Sequence, residues 1–252
     1  MTRQKKTILA VCIPAYNEQK TLALIVKKVL AVRFDVPVQL EIIIVNDCSR
    51  DDTLRIAQNL AEKHHNIRVI NNERNLGKSQ TLRRALLAIS DDADYVVCQD
   101  ADLEYDPQDL AFMVQRLVKE KYDVAYGNRF GHYTEVLYKR NFYGNLFLSQ
   151  FSALFTTPRI KVLLPDMEVC YKMIRADVAK NVAKKIRAKS NFGIEPEMTA
   201  RLSKYTIKGK HLKFVITPTN YFPRSIEEGK KMRAMRDGLR ATLEVIRYNL
   251  FS

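Results

Sequence analysis

The chain has 252 residues, 46% of them hydrophobic and 28% charged, with a formal net charge of +14. That length suffices for one well-packed domain, and no window approaches the ~18 consecutive apolar residues of a membrane span. The positive surplus favours anionic partners: nucleic acid, a phospholipid surface or phosphorylated substrates. The apolar run Ile8–Ile13 is too short for a signal-peptide core and breaks at Pro14. Cys12, Cys48, Cys98 and Cys170 lie far apart with no CxxC spacing. They read as free thiols of a reducing compartment. The expectation is a cytoplasmic protein whose membrane contact, if any, is peripheral.

Taken in order, Ile8–Ile13 reads as a buried strand and Pro14–Glu18 as a loop, with Asn17 as N-cap of a helix running to about Val32. Leu40–Val45 is a second strand, and Asp51-Asp52-Thr53 opens a second helix. Ile67–Ile70 is a third strand; Asn75-Leu76-Gly77-Lys78-Ser79 turns into a third helix ending near Ile89. Tyr95–Cys98 is the fourth strand. Asp106-Pro107 starts a fourth helix with Pro107 at its first position, and Tyr122–Tyr126 is the fifth strand. Strands and helices alternating at this spacing predict an α/β fold with a mostly parallel central sheet covered by helices.

Beyond Gly127 the character changes. Phe142–Phe155 predicts a helix with Tyr143, Phe147, Phe151 and Leu154 on one face and Asn145, Ser149 and Ser152 in a narrow polar stripe. It reads as a core helix, or as one lying at a membrane surface or lining an acceptor groove. Val169–Ile174 is a strand returning to the sheet, Pro196–Leu202 a short helix and Phe214–Ile216 a strand. Ile226 to about Asn249 is a long amphipathic final helix, with Met235, Leu239, Leu243 and Ile246 as its apolar stripe and Arg233, Arg236, Arg240 and Arg247 as its basic face. No linker or repeat interrupts residues 1–252, so a single domain is expected.

The candidate polar groups of the first half all follow strand ends: Asp47 the second, Asn75, Gly77 and Lys78 the third, Asp100 and Asp102 the fourth. Ligands of open α/β sheets sit beyond those carboxyl ends. Two carboxylates two residues apart on extended backbone point the same way. They can share a hard cation that keeps positions open for the oxygens of a diphosphate.

With those residues in view, the chain resembles family-2 glycosyltransferases. The resemblance rests on Pro14-Ala15-Tyr16-Asn17-Glu18, Val45-Asn46-Asp47-Cys48-Ser49-Arg50-Asp51-Asp52-Thr53, Asn75-Leu76-Gly77-Lys78 and Asp100-Ala101-Asp102. Tyr126-Gly127-Asn128-Arg129, the stretches Asp166–Lys172 and Gly193–Glu197, and Tyr221–Lys231 resemble the dolichyl- or polyprenyl-phosphate sugar transferases, most closely bacterial members. Asn46 and Cys48 stand where the family usually has Asp and Gly, Ser79 replaces a usual Gly, and Glu104 is often Gln in dolichyl-phosphate mannose synthases.

The resemblance implies the GT-A nucleotide-diphospho-sugar transferase fold, with residues 7–130 as the nucleotide-sugar and metal half and 131–252 as the acceptor half. It implies that Pro14, Tyr16, Glu18 and Asp47 hold the nucleoside and that Lys78 lies near the base or diphosphate. Asp100 would approach the sugar, and Asp102 with Glu104, beside Asp100, would ligate Mg²⁺ or Mn²⁺. Arg129, Arg140 and Arg224, with Lys230, would receive the lipid phosphate, and Asp100, Asp102, Arg129 and Arg224 would carry catalysis. Glu195 and Glu197 fit either as helix-start acids or as contacts to sugar or metal.

The implied reaction is inverting transfer of a hexose from GDP-mannose or a UDP-glucose-type donor to a polyprenyl phosphate, at an anionic membrane surface. The resemblance also admits a small membrane subunit as partner. A family-2 enzyme acting on a soluble saccharide is the alternative, but those often carry a Gln-x-x-Arg-Trp motif and this chain has no Trp. A nucleic-acid-binding domain would account for the charge, yet the basic residues are dispersed and no binding motif accompanies them.

Overall fold

The structure, a computed structural model, describes residues 6–130, 139–188, 193–224 and 234–251, with the side chains of 139–141 and 234–240 left aside. The first half alternates β1 (Thr7–Ala15), α1 (Leu22–Leu30), β2 (Val38–Asn46), α2 (Thr53–Lys63), β3 (Ile67–Asn71), α3 (Lys78–Ala88), β4 (Tyr95–Cys98), α4 (Asp109–Glu120) and β5 (Val124–Asn128). The second half holds α5 (Lys139–Ile160), β6 (Lys172–Arg175), α6 (Ala176–Lys185), α7 (Ile194–Lys204), the small hairpin β7 (Thr206–Ile207) and β8 (Lys210–His211), β9 (Phe214–Pro218) and α8 (Ala234–Leu250).

Seven strands form one sheet in the order β3-β2-β1-β4-β6-β5-β9. β1 pairs in parallel with β2 and β4, β2 with β3, and β5 with β9. The unbroken apolar runs explain this. Leu9–Ile13 and Ile42–Val45 are fully buried, so both faces of these strands are covered, which is the situation of a parallel sheet between helices. Each Leu, Ile and Val side chain among them is worth roughly 1.5–3 kcal/mol when taken from water, so these strands anchor the molecule.

β6 runs antiparallel between β4 and β5. Its first residue, Lys172, pairs with Tyr126 near the end of β5. The reversal delivers the preceding segment, Asp166–Tyr171, to the carboxyl edge of the sheet. Gly127 is where that segment comes closest. A Cβ there would lie 2.7 Å from Thr219 Oγ1 and 3.0 Å from the Tyr171 carbonyl oxygen, so no larger residue fits without displacing its neighbours.

Several expectations are corrected. Asn17 caps no helix: it sits at φ 57°, and α1 begins at Leu22 after Thr21. The Asn17 side chain instead accepts the Arg50 N–H at 2.9 Å, and Ser49 Oγ accepts the Asn17 N–H at 3.0 Å, joining two loops. Pro107 precedes α4 rather than opening it. Helix α6 and the β7–β8 hairpin were not predicted.

The faces of two helices are also rotated. On α5 most of the expected apolar face points outward, with Tyr143 64%, Phe147 60% and Leu154 69% exposed, while Phe151 packs against Leu148, Met167, Ala241 and Val245 and Ser149 and Ser152 are buried. The reason is visible in the contacts: Ser149 Oγ accepts the Met167 N–H at 2.9 Å, and small side chains admit the close approach of α7 and α8. Among the described side chains of α8 the buried ones are Ala241, Val245, Tyr248 and Asn249, and Leu243 faces solvent; Arg233 and the side chains of Met235, Arg236, Leu239 and Arg240 lie outside the described residues.

Candidate active site

The loops at the carboxyl ends of β1 to β4 are knitted to one another before any ligand arrives. Asp47, 3% exposed, spends its carboxylate internally. Its Oδ1 accepts from the Leu76 N–H and the Asn72 side-chain amide, both at 2.8 Å, and its Oδ2 from the Gly77 N–H at 2.9 Å. Asp47 therefore fixes the 75–77 loop with three of its roughly four acceptor sites. Gly77 sits at φ 80°, a conformation open to glycine without cost. Cys48 lies at φ 57°. The family's usual glycine at this position answers that left-handed backbone, which costs a side chain about 1–2 kcal/mol.

Pro14 is half-buried at the end of β1, and Tyr16 is half-buried in the loop beyond it. Glu18 lies in the turn before α1, where its Oε2 accepts the Thr21 hydroxyl at 2.7 Å and its N–H donates to Thr53 Oγ1 at 2.8 Å.

Lys78 opens α3 and reaches Asp100 at 3.0 Å and Glu195 at 3.6 Å. Burial works against its charge, but Asp100 and Glu195 outweigh that, and Lys78 keeps its proton well above the usual lysine value. The strand ends at Cys98, so the following residues are not extended, and Leu103 turns at φ 66°. The two aspartates consequently diverge: Asp100 meets Lys78, while Asp102 Oδ2 accepts from Arg224 Nη2 at 2.9 Å. Glu104 Oε2 accepts the Tyr221 hydroxyl at 2.7 Å, and its Oε1 accepts the Arg224 N–H at 3.0 Å. Among the described residues no three acidic, His or Cys side chains converge on one point. The expected trio of Asp100, Asp102 and Glu104 is thus split, because each half has found its own cation.

The donor set nevertheless suits a hard divalent ion. Burial, then the charges of Asp100 and Glu104, push the Asp102 carboxyl up to about 7 against the opposing pull of Arg224. A carboxylate so crowded gains from added positive charge. Asp102 and Glu104 are enough protein ligands for Mg²⁺, which commonly takes one or two carboxylates and completes its shell with substrate phosphates and water.

Arg129 departs from its expected role. Its Nε and Nη2 form a fork on Asp166 at 2.6 and 2.7 Å, and its guanidinium lies 5.0 Å from the centre of the Tyr221 ring. Its bidentate face is filled by a carboxylate, so it braces the Asp166 segment against the 221–224 loop. Arg224 is the expected phosphate-binding arginine that stands at the carboxylates themselves. The Arg140 side chain and Lys230 lie outside the described residues. Glu197 is fully buried, accepting the N–H groups of Arg187 and Ala188 and pairing with Arg201 at 2.6 Å. It is structural.

Several residues that shape the candidate site carried no independent sequence signal. Tyr105 packs at a tilt against Tyr171 and Tyr221, with centroids 4.7 and 5.1 Å apart, and its hydroxyl accepts the Cys170 N–H at 3.0 Å. Tyr171 donates to Gln99 Oε1 at 2.6 Å. These aromatics hold the Asp166–Tyr171 segment beside Asp100. Their spacing of dozens of residues leaves no pattern to detect.

A mostly parallel sheet with one inserted antiparallel strand, and acidic groups gathered past β4, defines a glycosyltransferase of the GT-A fold. The solved structure of glucosyl-3-phosphoglycerate synthase from Mycobacterium tuberculosis with Mn²⁺, UDP and phosphoglyceric acid is similar, with TM-score 0.64 at 19% identity over 98% of this chain and 80% of that one. The family model for glycosyl transferase family 2 matches residues 10–183, and the chain belongs to that family.

Relatives include dodecaprenyl-phosphate galacturonate synthase of Rhizobium johnstonii, 27% identical over 69% of this chain and 49% of that protein. Another is undecaprenyl-phosphate 4-deoxy-4-formamido-L-arabinose transferase of Photorhabdus laumondii, 28% identical over 52% of this chain and 40% of that protein. The match thus spans about half the length or less of these two relatives. Among the described residues no helix is long and apolar enough to cross a membrane.

Proposed function

We propose that the protein transfers a hexose, with inversion, from a nucleotide diphosphate sugar to a polyprenyl phosphate at a membrane surface. The observation that carries this reading is Arg224. It comes from a loop 122 residues further along the chain to stand 2.9 Å from Asp102. A sugar hydroxyl acceptor has a high pKa and needs a positioned base. A phosphate monoester has a second pKa near 6 and is mostly dianionic at neutral pH. Such an acceptor needs a cation where it meets the donor, and an arginine fork binds two phosphate oxygens at once. The names of the two polyprenyl-phosphate relatives support the same acceptor class.

In this reading Lys78 faces the donor diphosphate, Asp47 holds the loop that carries Lys78, and Asp100 borders the sugar. Asp102 and Glu104 would hold Mg²⁺ or Mn²⁺, whose chemistry is to neutralise the leaving diphosphate. Those carboxylates must then release Arg224, which becomes available to the acceptor phosphate. Aromatic side chains on the outer face of α5, Tyr143 and Phe147, offer a surface for the prenyl chain or the bilayer.

The experiment compares Arg224→Ala and Arg224→Lys with the parent protein. Mn²⁺ titrations without donor should show tighter binding in Arg224→Ala, because a competing cation is gone. Transfer to polyprenyl phosphate at saturating donor should fall sharply in Arg224→Ala and recover in part in Arg224→Lys. Weakened donor binding with transfer intact at saturation would place Arg224 in the donor site and defeat the proposal. Equal transfer to a soluble saccharide would favour the alternative acceptor class.

A further inference from the structure

The buried charges beside Asp100 divide into two kinds. Some are closed: Arg129 with Asp166 and Arg201 with Glu197 form ion pairs at 2.6 Å. Three others are not. Glu195 is 7% exposed, and its Oε2 has no hydrogen-bond partner. Glu168 Oε1 is likewise buried and unpartnered. Lys172 is 2% exposed and donates to the carbonyl of its own neighbour Val169, over the ring of Tyr126. The Tyr126 ring beneath Lys172 links them: its hydroxyl bonds the carbonyl of Met167, next to Glu168, and Thr199 Oγ1, which donates to the Glu195 carbonyl, so the three lie around one ring. Among the described residues no ion pair joins any two of them. Leaving a buried carboxylate oxygen unpaired is costly, and a cluster of purely structural role would close as its neighbours do.

Glu195 lies at the candidate site itself. Glu195 Oε1 is 3.6 Å from the Lys78 ammonium, which is itself 3.0 Å from Asp100. A carboxylate, Glu195, a carboxyl that burial and Glu195 keep protonated, Glu168, and the Lys172 ammonium call for groups that donate and accept at once. Hydroxyls do this: each gives its proton to a carboxylate and its lone pair to the ammonium. A carboxylate ligand would satisfy Lys172 but confront the charge of Glu195. Asp166 and Arg129, also within electrostatic reach of Glu168, neutralise each other.

We propose that Glu168, Lys172 and Glu195 form the pocket that reads the hydroxyls of the transferred sugar, and that it selects a neutral hexose over a uronate. This rests on the reading of the site as a nucleotide-sugar site. It goes further in assigning sugar class to charges on the β6 segment and at the start of α7.

The test measures affinities of UDP, UDP-glucose, UDP-glucuronate, GDP and GDP-mannose with Mn²⁺ by calorimetry, on the parent and on Lys172→Met, Glu195→Gln and Glu168→Met. The informative quantity is the ratio of sugar nucleotide to bare nucleotide within one variant, which carries its own folding control. In the parent a neutral sugar should bind more tightly than its bare nucleotide, and UDP-glucuronate at least about tenfold more weakly than UDP-glucose. The neutral-sugar ratio should fall roughly tenfold on losing one hydrogen-bonded charge, and Glu195→Gln should reduce the penalty on glucuronate. If nucleotides bind but the ratios are alike for neutral and acidic sugars, or unchanged in all three variants, the pocket is filled by internal water and the inference is overturned. If no nucleotide binds to the folded parent, the nucleotide-sugar reading fails and this inference with it.

Discussion

The nucleotide edge of the sheet and the α5–α8 face are built in opposite ways. At the edge formed by β1 to β4, polar groups are buried and already paired: Asp47 accepts three hydrogen bonds, and Asn72 Nδ2 spans from Asp47 Oδ1 to Thr81 Oγ1. Across α5 the arrangement is reversed, with serines inside and Tyr143, Phe147 and Leu154 outside. A preorganised edge suits a small polar ligand whose shape is fixed. An exposed aromatic face suits a partner that is large, apolar and fluid. Under the proposed function, the comparison teaches that one chain can preorganise its donor side and leave its acceptor side to be completed by its surroundings.

The largest expected effect tests the preorganised edge. Asp102→Asn keeps the shape of the side chain and removes a charge that a divalent ion needs. Transfer should drop by more than about 100-fold, beyond the 10–100-fold typical of changes around a metal ligand, while nucleotide affinity persists in part. Near-parental turnover in Asp102→Asn would remove Asp102 from the metal site.

The same substitution made in the sheet, at β5, and in α5 should have opposite signs. Gly127→Ala drives a Cβ to 2.7 Å from Thr219 Oγ1 and 3.0 Å from a backbone oxygen, an overpacking that costs about 1–3 kcal/mol. A fall of roughly 5 °C in Tm is expected for a chain of this size. Gly144→Ala, within α5, meets nothing within 4 Å and should stabilise by about 0.5–1 kcal/mol through helix propensity. Thermal melts of the two variants measure the contrast. Equal shifts would mean that the two regions are packed alike.

A pH effect of middle size follows from Asp102. Its carboxyl holds a proton to about 7, through burial and then the charges of Asp100 and Glu104. Metal must displace that proton, so Mn²⁺ affinity should fall roughly tenfold between pH 8 and pH 6. Without metal the sign for stability is the reverse of the usual carboxylate case. The unfolded chain releases this proton near the ordinary aspartate range while the folded chain keeps it to about 7. Stability of the metal-free protein is therefore lost as pH rises across that interval. Glu168, held up to about 8 by burial and Glu195, acts in the same direction. Calorimetric Mn²⁺ titrations at three pH values, with melts in EDTA, test both statements; an affinity flat between pH 6 and 8 would contradict the first.

The smallest expected effect concerns the outer face. Phe147→Ser should weaken co-sedimentation with anionic vesicles by a factor of about three to ten, since a partly exposed ring contributes less than the roughly 1.5–3 kcal/mol of a fully buried one. Added salt should weaken it further, because each Lys or Arg near such a surface contributes about 1 kcal/mol. Unchanged pelleting of the variant would show that this face is not the contact.

The sequence by itself determined the parallel strands, the order of the first-half elements and the placement of Asp47, Lys78, Asp100 and Asp102 past strand ends. Runs such as Ile42–Val45 have one low-energy use, and a turn residue at a strand end reports its position locally. It did not determine which side chains are spent on one another. That Asp47 clamps a loop, that Arg129 is filled by Asp166 and that Arg224 stands on Asp102 depend on contacts between residues 29 to 122 positions apart. Nor could a helical wheel decide which face of α5 is buried. Periodicity places Tyr143 and Phe147 on one side, but the inward face is set by what fits against Met167 and α8, and there small serines pack more closely than rings. Only the tertiary structure, by bringing β6 in backwards between β4 and β5, put Glu168 and Lys172 beside Glu195.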